Sequence, residues 1–158
     1  MAKRRLAVGL GNASHLQELK LVSLAPLPAQ VSGLPLSSQI LGRPALRELF
    51  RMQGQDFSLN KAVVGIYGRE NEIIIYVAGA PLKFLAGELL KAMRDKIAEN
   101  NSPFQLLAIR EIDQHTLFEL KGMGQRHYYF RSGDLIIWLT AADTWAEQAL
   151  EEVLVYYP

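Results

Sequence analysis

Two segments of the chain, at about 61–100 and 104–158, share one order of patterns: a β-hairpin followed by an amphipathic helix. The apolar stretch 74–80 aligns with 136–142, and each stretch stands at the end of its hairpin. A hairpin with one helix buries too little apolar surface alone, but two such units can share a sheet. The pattern therefore predicts an internal duplication.

The order of strands and helices predicts an α+β fold. We expect an antiparallel sheet with the helices packed on one face, ferredoxin-like and built from two hairpin-plus-helix repeats. The single domain is predicted to cover 37–158, including a helix that begins near Pro44 and ends at Gly54. Residues 1–36 contain several prolines and are predicted to form an irregular arm that wraps the core, with one edge strand as a further option.

The composition is that of an ordinary globular domain. Of the 158 residues, 49% are hydrophobic and 21% are charged, which argues against disorder. The 17 basic and 16 acidic side chains leave a net charge of +1. Such a balance produces no long-range field that would attract nucleic acid or anionic lipid.

The chain has no cysteine and no long apolar run. The first fact excludes disulfides, thiolate nucleophiles and thiolate metal sites. The second predicts a soluble protein without a membrane-spanning segment. The basic start followed by a short apolar stretch at 6–11 lacks the core of a signal peptide. The localisation stays open, and an extracytoplasmic domain whose export segment has been removed is an alternative.

Gly9 and Gly11 follow a short strand-like stretch, 6–8. The stretch 6–12 resembles the start of a peptidyl-tRNA hydrolase, and the resemblance covers these few residues alone. A dinucleotide fingerprint would need a third glycine that opens a helix, and Ser14 and His15 occupy that region. We therefore expect a terminal segment here and predict no cofactor.

The candidate ligand-binding residues are centred on the aromatic strand 126–131 and the glycine loop 121–125. Neither His15, His115 nor His127 has a partner at metal-ligand spacing, so no metal site is predicted. His115 is predicted to lie in a polar turn. Alternation places one set of strand side chains on the core side and the other on an outer sheet face. The candidates are His127, Tyr129, Arg131, Trp138 and Met123.

The same region resembles the start of a strand signature of the RNA-recognition motif, from Lys121 to Gly124 and on into 126–131. In that family, exposed aromatic side chains stack on bases. Met123 and Gln125 stand where the family has aromatic residues, and the chain is not basic. This departure argues against a nucleic-acid partner.

No residues match a catalytic motif, and none is assigned a catalytic role. The favoured hypothesis is a non-catalytic binding or protein-interaction domain, or a sensor domain, with an unknown protein or small ligand as partner. The alternative is a small-molecule-binding protein or a small enzyme, with His127 as the acid or base and Arg131 as the anion contact. A homodimer formed through an outer sheet face or an edge strand is a third hypothesis.

Overall fold

The structure is a computed structural model, and it describes residues 27–45, 47, 61–79, 83–98 and 103–158. Within these ranges the chain forms eight strands, two long helices and a helical turn at 42–45. In chain order the elements are β1 (Gln30–Val31), β2 (Leu34–Leu41), β3 (Lys61–Tyr67), β4 (Ile73–Gly79), α1 (Lys83–Ala98), β5 (Gln105–Ile112), β6 (His115–Gly122), β7 (Gln125–Ser132), β8 (Leu135–Ala141) and α2 (Asp143–Tyr156).

The eight strands form one sheet in the order β1-β2-β3-β4-β8-β7-β6-β5, and all neighbours are antiparallel. The order reverses at the β4–β8 pair, where Tyr76 lies directly opposite Trp138. These two residues are also equivalent positions in the stretches that align in the sequence. Two like units related by a two-fold axis would give this symmetric order, and the duplication itself stays a prediction.

The sheet carries a helix on each face. On one face, α2 packs against a core that includes Ile75 and Leu139. On the other face, α1 places Met93 in a second core with Tyr129 and Trp138. Neighbouring residues of β7 and β8 therefore belong to different cores, because successive side chains of a strand point to opposite faces of the sheet.

The prediction of a ferredoxin-like fold with helices packed on one face is therefore wrong. The chain is mainly an eight-stranded antiparallel sheet, with α1 and α2 on opposite faces. The physical reason lies in the central strands, since neighbouring residues such as Ile136 and Ile137 are both buried. A strand that is apolar on both sides needs cover on both sides.

The hairpins predicted within 62–77 and 126–139 are present as β3–β4 and β7–β8, and a helix follows each. The range 1–36, predicted to be an irregular arm, contains β1 and the start of β2. Residues 1–26, among them His15, lie outside the described residues. So does most of the helix predicted from Pro44 to Gly54.

The chain before β2 is fixed to the α2 face by two contacts. The hydroxyl of Tyr67 donates a hydrogen bond of 2.8 Å to the carbonyl oxygen of Pro28. The backbone N–H of Ser32 donates to Oε1 of Glu152 on α2 over 2.9 Å. These bonds hold the β1 end of the sheet against the C-terminal half of α2.

Candidate functional site

The predicted site residues lie on β7, on β8 and in the turn between β6 and β7. The side chains of His127, Tyr129 and Trp138 share the α1 face and are buried. Tyr128 and Phe130 point to the α2 face and are also buried. The expectation that one set would lie on an outer sheet face is therefore wrong, because both faces of β7 are covered.

The ring of His127 is held by hydrogen bonds on both nitrogens. Its Nε2 lies 2.9 Å from the carbonyl oxygen of Gly122, which can only accept, so Nε2 carries the proton. Its Nδ1 is therefore an acceptor, with Thr140 Oγ1 at 3.0 Å and the indole Nε1–H of Trp138 at 3.2 Å. Burial lowers the pKa of His127, partly opposed by the bond to Gly122. The neutral imidazole thus has both nitrogens engaged within the domain.

An aromatic stack surrounds His127 on the α1 face. The ring of Tyr129 lies between Phe118, at 4.6 Å, and Trp138, at 5.2 Å, and both pairs are nearly parallel. Phe104 meets the edges of Trp138 and His127, with centroids 5.2 and 4.8 Å apart. Such stacked and edge-to-face pairs add to the free energy gained from burial. The rings of Tyr129 and Trp138, both candidate ligand-binding residues, therefore pack against other rings of the domain.

The hydroxyl of Tyr129 is the polar exception in this stack. It is buried and has no hydrogen-bond partner among the described residues. Burial raises the pKa of Tyr129 above its ordinary value. An unpaired buried hydroxyl costs free energy, because it loses its bonds to water and gains none in return.

Arg131 and Met123 are not brought together with the buried candidates. Arg131 is exposed near the end of β7, and its guanidinium donates to the carbonyl oxygen of Gly133 over 3.2 Å. Met123 precedes the start of β7, with a φ of 55° and 72% of its surface exposed. The two residues therefore lie at opposite ends of an eight-residue strand.

The sequence analysis missed a charged network on the α2 face. Glu119, with a side chain only 12% exposed, accepts from Arg126 at 2.5 Å and pairs with Arg110 at 3.3 Å. Arg110 also reaches Glu147 at 3.4 Å, and Glu147 accepts from the hydroxyl of Tyr128 at 2.8 Å. The carboxylates offset the guanidiniums, so the network leaves no excess positive charge for an anion. The sequence signal for this network was the presence of charged residues, Arg110, Glu119 and Arg126, within apolar strands.

The strand β5 forms one end of the sheet and has apolar side chains in solvent. Its outer edge pairs with no strand in the described ranges. Leu106, Leu107 and Ile109 are 39%, 42% and 52% exposed, and we call them the β5 edge patch. The sequence carries no signal for this exposure, because an adjacent apolar pair like Leu106-Leu107 also occurs in β8, where Ile136 and Ile137 are both buried. An exposed apolar edge strand can pair with another chain.

At the other end of the sheet, the two-residue β1 pairs only with Leu34 and Pro35, so the rest of β2 forms that edge. The exposed residues of β2 include Pro35 and the polar run 37–39, and its pairing with β3 is irregular between Leu36 and Ser38. Proline and polar side chains are among the usual protections of an edge strand. Each edge strand also has one irregularity in its pairing, because β5 has a register shift between Leu106 and Ala108, so bulges do not distinguish the two edges. The two edges of the sheet are therefore unequal in the described residues: β5 exposes three large apolar side chains, whereas β2 exposes one, Leu41.

The described residues contain neither a candidate metal site nor a membrane-spanning helix. They hold no group of three or more histidine or acidic side chains that could bind a metal ion. Among their helices, none combines the length and hydropathy needed to span a membrane. Comparison of the chain with protein families, with characterised proteins and with solved structures finds no significant match.

Proposed function

We propose that this chain is a non-catalytic protein-interaction domain. The observation that carries the proposal is the β5 edge patch, where three apolar side chains stand beside an edge with no paired strand in the described part of the chain. Backbone N–H and C=O groups on such an edge supply affinity for an extended segment, and the side chains supply selectivity. The partner is therefore expected to add a strand to β5.

The polar residues of the domain also support this proposal. Both ring nitrogens of His127 form hydrogen bonds within the domain, and Glu119 forms ion pairs with two arginines. Groups that are saturated within a fold stabilise and specify it. They offer few free donors or acceptors to a substrate.

The alternative is a small-molecule-binding protein or a small enzyme with its site near 126–131 and 121–125. It would require α1 to move away from the aromatic stack, because Trp138 and Tyr129 are buried beneath it. The hydroxyl of Tyr129, which has no hydrogen-bond partner among the described residues, favours this alternative, since a ligand could supply one. The interaction domain is better supported because its surface is already exposed.

Native mass spectrometry of protein purified without added ligand tests the proposal. We expect masses that are whole multiples of the chain mass, with no excess that is lost on denaturation. A co-purified small molecule would contradict the proposal and favour the alternative.

Photo-crosslinking adds a direct test. We expect a benzophenone amino acid in place of Ile109 to form protein adducts in the producing cells. The same amino acid in place of Gln39, exposed on β2, is the matched control. Adduct formation that is equal at both positions, or absent at both, would argue against a β5 interaction surface.

A further inference from the structure

We propose that the partner of β5 is a second copy of this chain, paired edge to edge about a two-fold axis at Ala108. The inference rests on the proposed function, because it needs β5 to be an interaction edge. The result would be one continuous antiparallel sheet of sixteen strands, formed from two sheets of eight. Isologous pairing of this kind is the commonest symmetry of soluble oligomers.

The faces of β5 limit the registers that are open to such a dimer. Leu106 and Ile109 lie opposite Leu120 and Phe118 of β6, so they share the α1 face. The strand has a register shift between Leu106 and Ala108. Leu107 is therefore the extra residue at a bulge. A two-fold axis normal to the sheet pairs residues of one face with residues of the same face.

Charge selects among these registers. An axis at Arg110 would set two arginines directly opposite each other, and an axis at Glu111 would do the same with two glutamates. Like charges directly opposite each other are destabilising in antiparallel pairs. Both of these registers are disfavoured.

An axis at Ala108 avoids these conflicts and matches the apolar side chains. It places Ile109 opposite Leu106 of the second copy, and Leu106 opposite Ile109. It also sets Arg110 opposite the neutral Gln105, and Ala108 opposite itself. An axis at Ile109 would place Leu106 opposite Glu111, which buries an apolar side chain less well.

The net charge of +1 adds little repulsion between copies. The strand has only eight residues, whereas a standard interface has about 20–30 residues a side. We therefore expect a dimer that dissociates on dilution.

Light scattering and sedimentation over a concentration series test the dimer. The full chain is expected to pass from monomer to dimer as concentration rises. Ile109→Lys is expected to weaken association by at least about tenfold, because it places a charge where apolar side chains meet. Its fold should be unchanged, since Ile109 is 52% exposed. Gln39→Lys, on the β2 edge, is the control and should dimerise like the parent chain.

Cysteine crosslinking tests the register, and the absence of native cysteine makes it specific. Ala108→Cys alone should give a covalent dimer with a short bis-maleimide, because directly opposite Cβ atoms lie about 4.5–5.5 Å apart. Leu106→Cys and Ile109→Cys should crosslink to each other when mixed. Ser38→Cys on β2 should stay monomeric.

Crosslinking of Ile109→Cys alone in preference to Ala108→Cys would overturn the register. A monomer at every concentration, with no ligand mass, would overturn the dimer but leave the interaction domain standing with a different protein partner. A co-purified ligand would instead overturn the proposed function itself.

Discussion

The indole Nε1–H of Trp138 donates a hydrogen bond to Nδ1 of His127 over 3.2 Å, within the core on the α1 face. This bond requires Nδ1 to be unprotonated, because two N–H groups cannot bond to each other. His127, which the sequence analysis named as the acid or base of the alternative function, is thereby fixed in one neutral tautomer.

Acidification is expected to destabilise the protein through His127. Burial lowers the pKa of His127 in the folded state, whereas the unfolded value is about 6.5. The unfolded chain therefore binds more protons than the folded protein below about pH 6.5. As the pH is lowered from there, the free energy of unfolding decreases until the pH is below the folded pKa. Urea unfolding between pH 5 and 8 measures this slope.

His127→Gln is the control for the pH effect, since it does not titrate. The parent chain should lose more free energy of unfolding than the variant between pH 7 and pH 5. Equal slopes would mean that His127 is not the titrating group.

Removal of a hydroxyl should have opposite effects at two neighbouring positions. Tyr129→Phe deletes a buried hydroxyl that has no hydrogen-bond partner in the described part of the chain, and it is expected to raise the free energy of unfolding by about 1 kcal/mol. Tyr128→Phe deletes a hydroxyl that donates to Glu147 and should lower it by about 1 kcal/mol. Chemical denaturation measures both. Destabilisation by Tyr129→Phe would indicate that its hydroxyl has a partner after all.

The carboxylate of Glu119 is expected to stabilise the α2 face. Glu119→Gln leaves Arg110 and Arg126 without their shared partner and should cost about 2 kcal/mol, less than a fully buried pair because both arginines are partly exposed. Asp95→Asn removes an exposed partner of Arg94 and should change stability by less than about 0.5 kcal/mol. Similar losses in the two variants would refute the special role of Glu119.

The turn between β6 and β7 should respond to substitutions that change the backbone preference. Met123 has a φ of 55°, so Met123→Asn is expected to raise the free energy of unfolding by roughly 0.5–1 kcal/mol. Gly124→Ala, at a φ of 76° with open space around the new Cβ, should lower it by about 1 kcal/mol. Thermal unfolding of the two variants gives the comparison, and a loss of stability in Met123→Asn would point to contacts of the methionine side chain.

Local patterns predicted much of the fold and part of the site. The hairpins β3–β4 and β7–β8 follow from apolar runs separated by turn residues, and α2 follows from its apolar spacing. Alternation along β7 placed His127 and Tyr129 on one face, as they are. It did not predict that both faces would be covered, because that depends on how α1 and α2 pack on the assembled sheet.

The sequence by itself determined which side chains of a strand share a face and where the hairpin turns lie, because both depend on neighbouring residues. Its composition alone excluded cysteine chemistry. Only the tertiary structure decided that α1 and α2 lie on opposite faces and that β5 is an end strand. It also decided that Trp138 and Thr140 meet Nδ1 of His127. Each of these depends on strand order and on contacts between distant segments, whose free energies are not encoded in any local pattern.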